Sequence, residues 1–171
     1  ELSGLVVFLS PLGPDLNLIA YFSCSGVTRQ AAQRLAEVTG GELFEIQPEV
    51  PYTAADLNWR DAQSRSTREM KDPQCRPSMA KQPDLQDVDV VFVGFPVWWY
   101  TAPSIVRTFL ESADFSGKTV VPFCTSGGSG TGKIDHELPQ SCSDQTHWRS
   151  CRLVNGMSQA ELKEWVDSLA L

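Results

Sequence analysis

One junction limits the fold more than any other: an apolar strand that passes directly into a helix. Leu18-Ile19-Ala20-Tyr21-Phe22 is a continuous apolar segment, and Ala31, Ala32, Leu35 and Ala36 recur at helical spacing. Between them lies Ser23-Cys24-Ser25-Gly26-Val27-Thr28, a loop of mostly small and hydroxyl-bearing residues. Such a turn leaves the first N–H groups of the helix without intrahelical partners. The helix dipole adds partial positive charge at the same place. A phosphate group suits that position, and Ser and Thr hydroxyls can donate further hydrogen bonds. No Lys or Arg lies between Ser23 and Thr28, so the cradle is neutral.

The rest of the chain repeats the alternation. Strands are expected at Leu16 to Phe22, Glu42 to Ile46, Val88 to Phe95 and Lys118 to Cys124, with an ambiguous fifth at His147 to Val154. The third reads as a strand buried on both faces. Helices are expected at Thr28 to Val38, stopped by Gly40-Gly41, at Thr53 to Lys71, at Pro103 to Ser112, and at Ser158 to Leu169. The last opens with Ser158 and Glu161 at capping-box spacing. Strand alternating with helix predicts βαβ units, right-handed crossovers and a parallel sheet.

At 171 residues the chain is the size of one domain. Its formal charge of −7 argues against nucleic-acid binding, which needs a cationic face. No apolar run reaches the ~20 residues that span a bilayer. Five cysteines without a C-x-x-C spacing argue against a zinc site or a disulfide scaffold, although a Cys142–Cys151 bridge is conceivable; free thiols in a reducing cytoplasm are the expectation. Residues 1–15 contain the apolar stretch Leu5 to Leu9 and then Ser10-Pro11-Leu12-Gly13-Pro14. They are read as an N-terminal extension, with an extra strand, an added tail or the remnant of an export signal as alternatives.

In an open α/β sheet, ligands bind beyond the carboxyl ends of the strands. After the first strand comes the hydroxyl-rich phosphate loop. After the third comes Pro96-Val97-Trp98-Trp99-Tyr100-Thr101-Ala102-Pro103, and after the fourth Thr125-Ser126-Gly127-Gly128-Ser129-Gly130-Thr131-Gly132. Each has a plain reading on its own: a capped helix, core aromatics, a flexible turn. Together they offer a phosphate cradle, an aromatic wall and a backbone that can approach a flat ring. A phosphorylated planar heterocycle is the expected occupant. The run from Gly127 to Lys133 fits G-x-x-x-x-G-K, but Ile134 stands where a nucleotide-triphosphatase needs Ser or Thr for Mg²⁺. His136 and His147, the only histidines, lack metal-ligand spacing. Cys24 at a helix start could carry a lowered thiol pKa, although a loop-filling role is the simpler reading.

These residues resemble the flavodoxin-like FMN proteins, in particular the short flavodoxin family with its Y-F-S-x-S/T-G-x-T start. The resemblance runs from about Leu18 to Leu171 through Leu43-Phe44-Glu45-Ile46, Gly94-Phe95-Pro96-Val97-Trp98-Trp99, Asp114-Phe115-Ser116-Gly117-Lys118 and Pro122 to Ser129. It implies a flavodoxin-like three-layer α/β sandwich over residues 16–171: a five-stranded parallel sheet in the order 2-1-3-4-5 with helices on both faces, the order the family itself defines. It implies FMN, with Ser23, Cys24, Ser25, Gly26, Val27 and Thr28 on the phosphate. Pro96, Val97, Trp98, Trp99 and Tyr100 would border the isoalloxazine on one side, and Thr125, Ser126, Gly127 and Gly128 on the other. Three positions depart from the family: Val27 where Asn is common, Tyr100 where Gly is common, and Ser126 where His is common.

The expected function is electron transfer through a non-covalently bound flavin, with redox proteins or a small-molecule acceptor as partners. The alternative is an NAD(P)H-dependent FMN or quinone reductase. Its motive is the arginine-rich stretch Arg60, Arg65, Arg68 and Arg76, which could meet a nucleotide phosphate. The plainer reading of that stretch is a solvated helix face.

Overall fold

The computed structural model describes residues 16–171, so the expectations for residues 1–15 lie outside the described residues. The elements in chain order are β1 (Leu16–Tyr21), α1 (Val27–Thr39), β2 (Glu42–Glu45), α2 (Arg65–Lys71), β3 (Val88–Pro96), α3 (Ser104–Glu111), β4 (Thr119–Thr125), α4 (Ile134–Glu137), a 3₁₀ turn (Leu138–Ser141), β5 (His147–Trp148), β6 (Arg152–Leu153) and α5 (Gln159–Ser168). All the strand pairings are parallel, in the order β2-β1-β3-β4-β5, with β6 also on β4.

The period of two in the strands divides the core into two layers. Leu18, Ala20, Val91, Val93, Phe95, Val120 and Cys124 face α3, meeting Ile105, Val106, Phe109 and Leu110. Ile19, Tyr21, Val90, Phe92, Val121 and Phe123 face α1 and α5, meeting Ala31, Ala32, Leu35 and Leu162. Gly94 lets the Phe123 ring lie flat on β3, because a Cβ there would stand 2.1 Å from it. The capping box at α5 forms as its spacing predicts, with Ser158 accepting from the Glu161 N–H and Glu161 from the Ser158 N–H.

Two elements differ from expectation. The fifth strand is split in two. Val120 and Cys124 accept from the N–H groups of Arg149 and Val154 across the edge. Pro122, midway between them, faces the same neighbour and has no N–H to offer, so the ladder breaks there. The second helix shrinks from the expected Thr53–Lys71 to Arg65–Lys71. Local side-chain bonds break its first half: after a single turn capped by Thr53 and Asp56, Asn58 accepts from the Arg60 N–H and Asp61 from the Gln63 N–H. Such turns compete with helix formation. The helix begins only where Ser64 caps it through the Thr67 N–H.

Candidate cofactor site

Gly26, in the left-handed region at φ 92°, turns β1 into α1. The Ser23 hydroxyl accepts from the N–H groups of Gly26 and Arg29, each at 3.2 Å. The amides of Ser25, Val27 and Thr28 have no partner among the described residues, which is the donor set an anion needs. Arg29 is held by Glu45 at 2.9 Å, so the cradle stays neutral. Thr28 is buried, and its hydroxyl meets that of Thr125 at 2.7 Å, joining the loop after β1 to the end of β4. Cys24 does not have the lowered thiol pKa its position suggested. Burial of its sulfur raises it to about 11 and outweighs the nearby Arg65, although the residue as a whole is exposed.

The aromatic loop is a tight turn. Trp98 and Thr101 exchange both backbone hydrogen bonds, at 2.9 and 3.0 Å, and the two residues between them, Trp99 and Tyr100, have φ 47° and 65°. Two-residue turns of this kind normally use Asn and Gly. Non-glycine residues there cost about 1–2 kcal/mol each and persist only when the surroundings impose the conformation. The surroundings are specific. The Tyr100 carbonyl accepts from the Lys133 N–H at 3.0 Å, and Gly132 lies so close that a Cβ would be 2.2 Å from that oxygen. Thr101 donates to Glu137, which also accepts from Arg107.

The three aromatics have different environments. Trp98 packs edge-to-face on Phe22 and Tyr52, with centroids 5.6 Å from each. Arg65 lies 3.8 Å from the centroid of Tyr52, whose hydroxyl donates to Glu69. Burial, then Glu69, pushes the Tyr52 pKa well above the usual phenol range. Trp99 and Tyr100 stay 41% and 64% exposed, free to meet a ligand.

The loop after β4 is ordered by its own side chains. The Ser126 hydroxyl accepts from the N–H groups of Gly128 and Ser129, and the Ser126 N–H donates to Asn155 at 2.7 Å. Val97 to Tyr100 and Ser126 to Gly128 line one cavity of about 490 Å³. Thr125 is buried behind it, and neither Pro96 nor Ser23 to Thr28 is on its wall. The Thr28–Thr125 bond places the β1–α1 junction next to it. Ser129, Leu57, Trp59 and Ser66 complete the cavity; Ser129 belongs to the loop already expected there, whereas sequence reasoning missed the other three. Reading Thr53–Lys71 as a single helix hid Leu57 and Trp59, and Ser66 lies in the part that is helical. The Asp and Asn residues spaced two before bonded amides were the signal for turns that bring this segment to the sheet edge.

The expected arginine cluster is dispersed. Arg65 is spent on Asp56, Glu69 and the carbonyls of Val50 and Pro51. Arg76 is spent on Glu111. Arg60 and Arg68 form no ion pair among the described residues.

A parallel sheet whose strand order reverses beside an anion cradle, with an aromatic turn and a hydroxyl-glycine loop facing it, defines a mononucleotide-binding α/β protein. Its family follows from comparison. A flavodoxin family model matches residues 16–169, and the chain belongs to that family. Flavodoxins are FMN proteins, and the free amides and the apolar, aromatic cavity fit that group. A candidate flavoprotein from Bacteroides eggerthii DSM 20697 is 42% identical, covers 91% of this chain and 98% of its own, and superposes with a TM-score of 0.87. A second, from Bacteroides uniformis ATCC 8492, is 44% identical over 89% of this chain and 97% of its own, with a TM-score of 0.84. A flavoprotein in complex with FMN from Lactobacillus acidophilus NCFM shares the fold at 20% identity, covering 89% and 99% with a TM-score of 0.68. No curated protein matches the sequence.

Proposed function

We propose that this flavodoxin-family chain holds FMN non-covalently and passes electrons through it as a carrier. The observation that carries this reading is the meeting of three loops, from β1, β3 and β4, at one sheet edge, with Thr28 and Thr125 bonded across them. The unpartnered amides of Ser25, Val27 and Thr28 would take the phosphate, with the Ser23, Cys24 and Gly26 backbone shaping the loop. Val97 to Tyr100 and Ser126 to Gly128 would enclose the ring, Trp99 and Tyr100 by stacking and Trp98 as their anchored base, with Thr125 buried behind them. FMN supplies the redox chemistry when bound; the protein supplies binding, orientation and electrostatics. No nucleophile or general base is required of the chain.

A second reading, an NAD(P)H-dependent FMN or quinone reductase, rests on Arg60 and Arg68, which are exposed and form no ion pair among the described residues. The loss of Arg65 and Arg76 to structural ion pairs weakens it. Among the described residues no helix is long and apolar enough to cross a membrane. All five cysteines are free thiols. FMN titration followed by anaerobic stepwise reduction tests the assignment. A long-wavelength absorption band at half-reduction favours the carrier. Direct bleaching, together with NADPH-dependent quinone turnover above that of free FMN, would replace it with the reductase.

A further inference from the structure

We propose that Trp59 and Arg60 form a stacking platform, beside the flavin, for a planar oxygenated aromatic anion. The proposal rests on the FMN reading and names the ligand class that shares its cavity. Trp59 lines the 490 Å³ cavity with 64% of its surface exposed. The Arg60 guanidinium lies 5.0 Å from its ring centroid. The other aromatics around the site are already placed: Tyr52 and Trp98 are packed on each other, and Trp99 and Tyr100 are fixed in the turn held by Lys133.

Arg60 has no carboxylate partner among the described residues, in a chain of formal charge −7. The flavin phosphate has its own amide cradle and does not call on this guanidinium. A cation over an indole face, unpaired and beside an open cavity, favours a flat ring with a negative substituent. A third group points the same way. Ser66 is 2% exposed and on the cavity wall, and its hydroxyl meets that of Ser64 across a long 3.5 Å bond. A ring carbonyl of the ligand offers that hydroxyl a closer acceptor. Indole face, guanidinium and hydroxyl together describe an acidic quinone.

The test is calorimetric binding to the oxidised, FMN-loaded protein. The probes are anthraquinone-2-sulfonate and the uncharged 2-(hydroxymethyl)anthraquinone, which lack the open quinone-ring position that free thiols attack. Trp59→Ala is expected to weaken both probes about 10-fold, the loss of one aromatic stack, and Trp59→Phe to recover most of it. Arg60→Gln is expected to weaken the sulfonate about 5-fold and to leave the neutral probe within about 2-fold. FMN affinity should change less than about 2-fold in Arg60→Gln, which is not on the cavity wall. Unchanged quinone affinity in Trp59→Ala overturns the platform. A tenfold loss of FMN in that variant overturns it too, by assigning the indole to the flavin's own wall. Equal weakening of both probes by Arg60→Gln overturns the anion preference. A wild-type protein that takes up no FMN overturns the cofactor reading along with the platform, so the two failures are distinct.

Discussion

Trp99 and Tyr100 occupy backbone conformations that their side chains disfavour, and they do so where a ring would be stacked. Strain of this kind is kept where it serves a site. Tyr100→Gly should therefore relieve it. Allowing for the greater freedom of glycine in the unfolded chain, the FMN-free protein should gain about 0.5–1 kcal/mol, read as a higher urea midpoint. FMN binding should weaken several-fold, and an unchanged midpoint would show that the turn is not strained. A second residue-scale prediction concerns the thiols of Cys24 and Cys142. Burial raises both from 9.0 to about 11. The unfolded chain ionises them at the lower value and the folded chain at the higher one. Their contribution is thus intact below pH 9 and is lost as the pH rises from 9 to 11. Urea midpoints followed across that window should fall less steeply for the Cys24→Ser/Cys142→Ser double variant than for the parent.

Among the elements, the aromatic turn and the glycine loop behave as one part, because Gly132 sits against the Tyr100 carbonyl. Gly132→Ala has both a 2.2 Å clash and a φ of 52° to accommodate. It should lower FMN affinity tenfold or more while costing only about 1–3 kcal/mol of stability; fluorescence titration of FMN and a urea melt separate the two effects. Neither glycine nor turn was legible as a pair in the sequence, where they lie more than thirty positions apart. Local signals did better. The β1–α1 junction, the Ser158–Glu161 box and the apolar runs of β3 and β4 all carry their own physics in adjacent residues, and the structure follows them. The failures share a cause. Pro122 breaks a neighbouring strand and not its own, and the Thr53–Gln63 segment has helical composition but Asx-turn bonding. Trp59 reaches the cavity only through that misread segment.

At the scale of the whole molecule, the formal charge of −7 sets the field in which electrons enter and leave. Attraction between unlike charges is screened within ~10 Å at 0.1 M salt. Electron transfer from the reduced protein to a cationic cobalt complex should therefore slow as salt is added, and transfer to ferricyanide should accelerate. Stopped-flow rates across an ionic-strength series decide, and the same salt dependence for both acceptors would mean that the site does not feel the overall charge.

The Thr28–Thr125 contact closes a separation of 97 positions. During synthesis from the amino end, a chain that has emerged only as far as the turn after β3 has its phosphate loop and its aromatic turn but no opposing loop. The pocket comes into existence when β4 is laid beside β3, once the chain through Thr125 is in place. FMN then cannot act as a scaffold for the early half; it is captured by molecules that have completed the sheet. Cofactor occupancy thereby becomes a record of which molecules have laid β4 into the sheet.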